Sequence, residues 1–177
     1  MKVLSIAGIA LAFAVAALLV YASTRPDTFR VQRAASIQAP PEKVYAQLAD
    51  FQRWPAWSPW EKRDPQMRRT MSTPSAGRGA TYAWEGNSEV GSGRMEIVEA
   101  QAPRKLGIRI DFLKPFEAHN AVDFTLEPRG AQTQVTWAMY GPATFVTKLM
   151  GVFVSMDAMI GKDFEAGLAN LKAVAEK

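Results

Sequence analysis

The chain has no cysteine and only one histidine among its 177 residues. The absence of cysteine excludes disulfides, thiolate metal sites and a cysteine nucleophile. Zinc sites usually draw on several histidines or cysteines, so His119 alone does not predict a metal site. A Ser-His-Asp arrangement would have to be built around that same residue. We therefore predict neither a metal nor a cofactor.

Clustered charge is also scarce. The net charge is only +4, and the basic residues are spread along the chain apart from one loose group, Lys62, Arg63, Arg68 and Arg69. Proteins that bind nucleic acid present a concentrated basic face to the phosphate backbone. The sequence therefore predicts no nucleic-acid partner.

Residues 3–22 form one long apolar run, which has no charge and only Ser5 as a distinctly polar side chain. A helix of this length spans about 30 Å, which matches the hydrocarbon core of a bilayer. We predict a transmembrane anchor over residues 1–24 that contacts a membrane through 3–22, a linker over 25–28 and a folded domain over 29–177. The alternative is a cleaved signal peptide, for which residues 20–22 form a candidate cleavage site.

The charges that flank this run are nearly balanced. Lys2 and the amino terminus precede it, whereas Arg25, Arg30 and Arg33 follow it. They give only a weak positive-inside bias. Because almost no chain precedes the run, the simpler topology places the domain on the periplasmic or extracytoplasmic side of the membrane.

After the linker, the hydrophobic period changes along the chain. Alternation predicts a strand over 29–37, and Pro41 then begins a short helix with apolar residues at three- and four-residue spacing. Residues 51–60 hold three tryptophans and two prolines, which favours short helices or turns. Six segments between residues 68 and 140 alternate with period two, and their short connections indicate an antiparallel sheet.

From Thr144 the period returns to 3.6 and predicts one helix of about 30 residues. Gly151, Gly161 and Gly167 lie within this helix. Each costs about 1 kcal/mol relative to alanine in a helix, so we expect them to permit a close approach or a bend.

Two stretches of the chain resemble a known superfamily. Residues 37–62, IQAPPEKVYAQLADFQRWPAWSPWEK, resemble the opening of SRPBCC domains, and residues 163–177, DFEAGLANLKAVAEK, resemble the end of their long helix. This superfamily includes START lipid-transfer domains, pollen-allergen-type carriers and the polyketide cyclase/dehydrase group, to which we assign the chain. The resemblance implies an α+β helix-grip (START-like) fold, in which a curved antiparallel sheet of about seven strands surrounds a long C-terminal helix and a cavity.

The residues themselves also indicate a cavity. Alternation places bulky apolar side chains on one face of the strands, and helical spacing adds others from the C-terminal helix. Many are aromatic or methionine, which suits an adaptable apolar pocket, although the alternative is a solid core. We expect Tyr82, Trp84 and Trp137 to orient the ligand through their polar atoms. The side chains predicted to bind the ligand are Tyr82, Trp84, Met95, Ile97, Ile108, Ile110, Phe112, Phe124, Trp137, Met139, Phe153, Met156 and Ile160.

No catalytic residue is predicted. By parity with Val122 and Phe124, His119 points away from the apolar face of its strand. The other charged strand residues also lie opposite the bulky ones, on the solvated face: Glu85, Arg94, Glu96, Arg109, Asp111 and Asp123. The three tryptophans at 54, 57 and 60 either cap the core or form a ligand gate or membrane-interface belt.

These patterns favour a membrane-tethered module that binds or transfers a hydrophobic or amphipathic small molecule, lipid-like or polycyclic, in an internal cavity. The alternative is an enzyme of the polyketide cyclase/dehydratase type, which would need an ionisable side chain inside that cavity. A third hypothesis, an interaction domain with a solid core, predicts no cavity.

Overall fold

The computed structural model describes the backbone of residues 2–177 and the side chains from Ala7 onward. Helix α1 (Lys2–Ser23) coincides with the apolar run. Within the described part of the chain, no helix is both long and apolar enough to cross a membrane. The predicted transmembrane anchor is therefore not supported, and Met1, where that prediction begins, lies outside the described residues.

Seven strands form a single antiparallel sheet in the order β1-β7-β6-β5-β4-β3-β2. The strands β2 to β7 are a meander joined by short connections, and β1 extends it by pairing with β7. This arrangement confirms the predicted α+β class and seven-stranded sheet. The strands are β1 (Thr28–Ile37), β2 (Arg68–Met71), β3 (Thr81–Glu85), β4 (Ser92–Gln101), β5 (Lys105–Lys114), β6 (Ala118–Arg129) and β7 (Gln132–Pro142).

The segment between β1 and β2 is built from short helices. Helix α2 (Pro41–Leu48) begins at a proline, whose fixed φ suits the first helical turn. Two 3₁₀ helices follow, Phe51–Ala56 and Pro59–Lys62, and each contains a proline that prevents a longer α-helix. The prolines thus restrict the tryptophan-rich segment to short helices, as the sequence predicts.

The predicted helix from Thr144 is wrong in one respect, because it is two helices. Helix α3 (Phe145–Met150) ends at Gly151, and helix α4 (Met156–Ala175) begins after Ser155. The Ser155 hydroxyl accepts a hydrogen bond from the backbone N–H of Ala158 at 3.1 Å, which caps the new helix. The apolar period continues through the break between α3 and α4, so the sequence pattern does not reveal the break.

Helix α4 packs across the sheet and buries Phe164, Leu168 and Leu171 against it. Ion pairs anchor it to β1, since Arg33 bonds Asp157 at 2.7 Å and Glu165 at 2.6 Å. A sheet that holds one long C-terminal helix is the predicted helix-grip arrangement.

Candidate ligand cavity

A cavity of about 250 Å³ lies between the sheet, the 3₁₀ helices and α4. Eight of the thirteen predicted side chains line it: Tyr82, Trp84, Met95, Ile110, Phe112, Trp137, Met139 and Ile160. The sequence thus brings together most of its proposed ligand contacts at one place. Whether they bind a ligand stays a prediction.

The other five predicted side chains do not line this cavity. Ile97, Ile108 and Phe124 are fully buried in the core beside it. Met156 is partly buried at the start of α4, and Phe153 is 72% exposed in the break between α3 and α4. Strand parity correctly places the first three on the buried face, but it does not separate core from cavity.

The tryptophan-rich segment contributes side chains to the core and to the cavity wall. Trp54 and Trp60 line the cavity, whereas Trp57 is buried in the core. The indole N–H of Trp54 donates to the Leu48 carbonyl at 2.9 Å, and that of Trp57 donates to the Gln47 carbonyl at 3.2 Å. The segment therefore packs the core and also forms one wall of the cavity.

Trp84 reaches the cavity because a glycine lies opposite it. Gly93 pairs with Trp84 across β3 and β4, and a Cβ at Gly93 would lie 2.5 Å from the Trp84 ring. The Trp84 N–H donates to the Val90 carbonyl at 3.1 Å, and its ring packs edge-on against Phe112 at 5.8 Å between centroids. The missing side chain thus leaves room for the indole.

Trp137 also packs against a glycine, in this case Gly167 of helix α4. A Cβ at Gly167 would lie 2.6 Å from the Cζ3 atom of Trp137. The ring stacks on Phe164 with centroids 4.2 Å apart and planes only 8° from parallel. Gly167 therefore permits α4 to approach the sheet at this point, as expected of the helix glycines.

One buried carboxylate, Glu61, lines the cavity. Its Oε1 accepts a hydrogen bond from the Tyr82 hydroxyl at 2.8 Å, and its Oε2 accepts one from Arg69 Nε at 2.6 Å. Burial, reinforced by the hydrogen bond to Glu61, raises the pKa of Tyr82 far above its usual range. The same carboxylate raises the pKa of Arg69. The cavity wall thus holds a neutral phenol and a carboxylate whose charge is paired with a guanidinium outside the lining.

Sequence reasoning missed Glu61 and Arg69 as parts of the site. Glu61 lies in a single 3₁₀ turn, which gives no period from which to infer the direction of a side chain. Its partners lie 8 and 21 residues further along the chain. The proximity of Glu61 to the Trp-Ser-Pro-Trp segment was the one available signal.

The opposite face of the sheet holds the only histidine of the chain. His119 is 73% exposed at its side chain and bonds Asp111 through Nδ1 at 2.7 Å, while Arg94 Nε bonds the same carboxylate at 3.0 Å. The prediction that Asp111 is solvated is wrong, because these two side chains cover it. The cluster lies outside the cavity lining.

We expect the ionisation of Asp111 to make the free energy of unfolding depend on pH in the acid range. The hydrogen bond from His119 and the Arg94 guanidinium lower the pKa of Asp111 below its ordinary 3.8. A carboxyl with a lowered folded pKa stabilises the protein above its unfolded pKa, and this contribution is lost as pH falls through the folded pKa. We expect Asp111→Asn to reduce the free energy of unfolding by about 1–2 kcal/mol at pH 6. Urea unfolding at pH 6 and pH 2.5 should show that the difference in free energy of unfolding between wild type and variant is smaller at pH 2.5. A difference of the same size at both pH values would contradict the assignment.

The described residues contain no group of three or more histidine, cysteine or acidic side chains that could hold a metal ion. The cavity instead has a largely apolar lining with three charged side chains, Glu61, Glu89 and Lys114. This lining and the sheet that surrounds a C-terminal helix define a helix-grip domain with an internal cavity.

A family model confirms this class. The model described as polyketide cyclase / dehydrase and lipid transport matches residues 28–176, and the chain belongs to that family. The predicted resemblance to the polyketide cyclase/dehydrase group is therefore confirmed. No curated protein matches the chain.

Solved structures support the fold. A protein from Chromobacterium violaceum is 16% identical with a TM-score of 0.58, over 86% of this chain and 99% of that one. Major latex-like protein 151 from Panax ginseng is 10% identical with a TM-score of 0.60, over 86% and 100%. The di-domain ARO/CYC StfQ from the steffimycin biosynthetic pathway is 12% identical with a TM-score of 0.61, over 84% of this chain and 51% of that one.

Proposed function

We propose that the domain binds or transfers a hydrophobic or amphipathic small molecule in its cavity. The observation that carries this proposal is the cavity itself, whose lining combines aromatic, methionine and branched aliphatic side chains with few polar groups. Apolar walls with a small number of placed polar groups are typical of small-molecule sites. The family description, which includes lipid transport, supports the same function.

The cavity volume limits the size of the ligand. A volume of about 250 Å³ lies slightly below the usual range of ligand pockets. The volume favours a compact molecule of roughly two or three fused rings, or one short apolar chain with a polar end.

Mass spectrometry of the purified 177-residue chain tests the proposal. Under native conditions we expect an apolar or amphipathic molecule bound at a ratio near one to one, and release of the same molecule on denaturation. Protein that carries no ligand and also fails to take up fluorene or 9-fluorenone in solution would contradict it.

A second candidate function is catalysis of the polyketide cyclase/dehydratase type. The observation that favours it is Glu61, an ionisable group in the cavity wall next to the Tyr82 hydroxyl. A carboxylate in this position could accept a proton from a bound substrate. Its pairing with Arg69 argues for a structural role instead, because the guanidinium already neutralises the carboxylate.

Glu61→Gln separates the two functions. The amide keeps an acceptor for Tyr82 but removes the base, and Arg69 loses its counter-charge. For a binding module we expect the same bound molecule in variant and wild type, with affinity changed by less than about threefold. For an enzyme, the variant should retain substrate where the wild type retains product, because loss of a general base lowers the rate by about 10²–10⁴-fold. Glu85→Gln, at an exposed carboxylate of β3, is the matched control.

We further propose that α1 tethers the domain to a membrane, with the domain on the periplasmic or extracytoplasmic side. This proposal rests on the uncharged run of residues 3–22 and on the exposure of large apolar side chains along α1. Leu11 is 67% exposed and Phe13 is 74% exposed. A helix that is apolar all round is typically surrounded by protein or by lipid.

Charged substitutions within residues 3–22 test whether α1 attaches the domain to a membrane. Leu11→Lys with Phe13→Lys should move the full chain from the membrane fraction to the soluble fraction, since each lysine costs about 3 kcal/mol at the centre of a membrane helix. Phe116→Lys, at an apolar residue that is 71% exposed elsewhere, should leave the distribution unchanged. Because the chain lacks cysteine, Lys177→Cys provides a single thiol. Its labelling in whole cells by an impermeant maleimide is expected for a domain outside the cytoplasm.

A further inference from the structure

A helix-capping motif beside the cavity does not cap its helix. Residues 58–61, SPWE, have the spacing of a capping box, in which a serine and a glutamate each bond the backbone N–H of the other. Ser58 is the N-cap of the second 3₁₀ helix, yet its side chain makes no capping hydrogen bond. Thr144 and Ser155, by contrast, cap α3 and α4 with their hydroxyls. The Ser58 hydroxyl is therefore not used by its own helix.

The glutamate of this motif is also bonded elsewhere. Glu61 bonds Tyr82 and Arg69. The Ser58 N–H, which Glu61 would bond in a capping box, donates instead to the Trp54 carbonyl at 2.8 Å. Both Ser58 and Glu61 line the cavity, where they form a polar strip in its wall. Local sequence preferences that the folded structure overrides are expected at functional sites.

The Ser58 hydroxyl is buried and unpaired, and it is still accessible. The residue is 6% exposed, and its Oγ makes no hydrogen bond with the described part of the chain. Within residues 7–177, only Trp137 Nε1 is a buried side-chain polar atom that lacks both a partner and accessible surface. Ser58 Oγ lacks only the partner, so it retains accessible surface. Because Ser58 lines the cavity and is otherwise covered by protein, the cavity is the open space next to this hydroxyl.

The other accessible polar side chains of the lining are already bonded or solvated. The Tyr82 hydroxyl donates to a carboxylate, and the indole N–H groups of Trp54 and Trp84 donate to backbone carbonyls. Glu89 and Lys114 are exposed, so water solvates their charges whether or not a ligand is bound. Within the described chain, the hydroxyl of the polar strip is therefore the buried, accessible side-chain group of the lining that still needs a partner.

We infer that the polar strip binds a hydroxyl group carried by an otherwise apolar ligand. The ligand oxygen accepts a hydrogen bond from Ser58 Oγ, and the ligand hydroxyl donates one to Glu61, whose oxygens have lone pairs beyond those that Tyr82 and Arg69 use. A ligand carbonyl could only accept, and it would place its lone pairs near the Glu61 carboxylate. The inference rests on the proposed binding function and narrows its ligand to a compact alcohol or phenol.

Three probes with the same fused-ring frame test the inference. Fluorene has no polar group, 9-fluorenol carries a hydroxyl and 9-fluorenone carries a carbonyl. In equilibrium dialysis of the 177-residue chain, Ser58→Ala should weaken the binding of 9-fluorenol about three- to tenfold and change that of fluorene by less than about twofold. Ser75→Ala is the matched control and should change neither affinity. Ser75 is also a buried serine, but it bonds Asp50 and lies outside the lining.

Stability separates a ligand contact from a capping role. Since Ser58 Oγ makes no hydrogen bond in the folded chain, Ser58→Ala should leave the urea midpoint of unfolding unchanged, whereas loss of a helix cap would lower it. The wild type gives an independent measurement if the variant fails to fold. Its affinity for 9-fluorenol, divided by the octanol–water partition coefficient of the probe, should exceed the same ratio for 9-fluorenone by about threefold or more.

The outcomes distinguish the inference from the function on which it rests. If Ser58→Ala binds 9-fluorenol as tightly as the wild type, or weakens all three probes equally, the inference is overturned and the binding function stands. Failure of the wild type to bind any of the three probes would overturn the proposed function for compact ring systems.

Discussion

Replacing Trp84 with alanine is expected to weaken the binding of fluorene by about thirtyfold. The indole forms part of the cavity wall and packs against Phe112, so the ligand would lose roughly 80 Å² of apolar contact. That area corresponds to about 2 kcal/mol, or thirtyfold in the dissociation constant. Equilibrium dialysis of the folded variant measures the change.

The control for Trp84→Ala is a truncation in the core next to the cavity. Ile108 is 1% exposed and does not line the cavity, although it lies on the same strand as Ile110, which does. Ile108→Ala should lower the free energy of unfolding by about 2–5 kcal/mol and leave the affinity of the folded protein unchanged. If Trp84→Ala binds fluorene as tightly as the wild type, the ligand site is elsewhere.

The contrast between Ile108 and Ile110 shows how far alternation predicts the site. Period two places both side chains on the buried face of β5, and both are buried. Which of them meets empty space depends on where α4 and the 3₁₀ helices lie above the sheet. Those elements are far from β5 in the chain, so the local pattern carries no information about the cavity boundary.

The break before α4 could not be predicted for a related reason. An apolar stripe reports which side of a helix is buried, and the spacing of Leu149, Phe153 and Met156 suits one continuous helix. Ser155 ends that continuity by capping α4, so that Phe153 lies outside both helices. A serine within a long apolar pattern is a weak capping signal unless an acidic residue follows three positions later.

The polar chemistry of the cavity was the part least accessible to sequence reasoning. Alternation predicts Tyr82 and Trp137 as lining residues, but it does not predict which hydrogen bonds they make. Tyr82 finds Glu61 from the 3₁₀ segment, whereas Trp137 finds no partner in the described chain. This difference arises from distances between separate elements.

Alanine substitutions at two glycines of α4, Gly167 and Gly161, are expected to differ in their effect on the free energy of unfolding. Alanine normally stabilises a helix by about 1 kcal/mol relative to glycine. At Gly167, however, the new Cβ would lie 2.6 Å from the Trp137 ring and 3.2 Å from Pro59, and the stacked Phe164 ring restricts how far that indole can move. Forcing a methyl group into a packed core costs about 1–3 kcal/mol, so we expect Gly167→Ala to lose about 1 kcal/mol or more overall.

Gly161→Ala is the matched substitution on the same helix. Its Cβ would meet the guanidinium of Arg33, the end of a flexible side chain that can move at the cost of two exposed ion pairs. We expect a change in the free energy of unfolding within about 0.5 kcal/mol of zero, since the helical gain offsets that loss. Urea unfolding of the two variants should therefore diverge. Equal stability would mean that the Trp137 ring can move away from α4, and an indole that can move could also turn its N–H towards another partner.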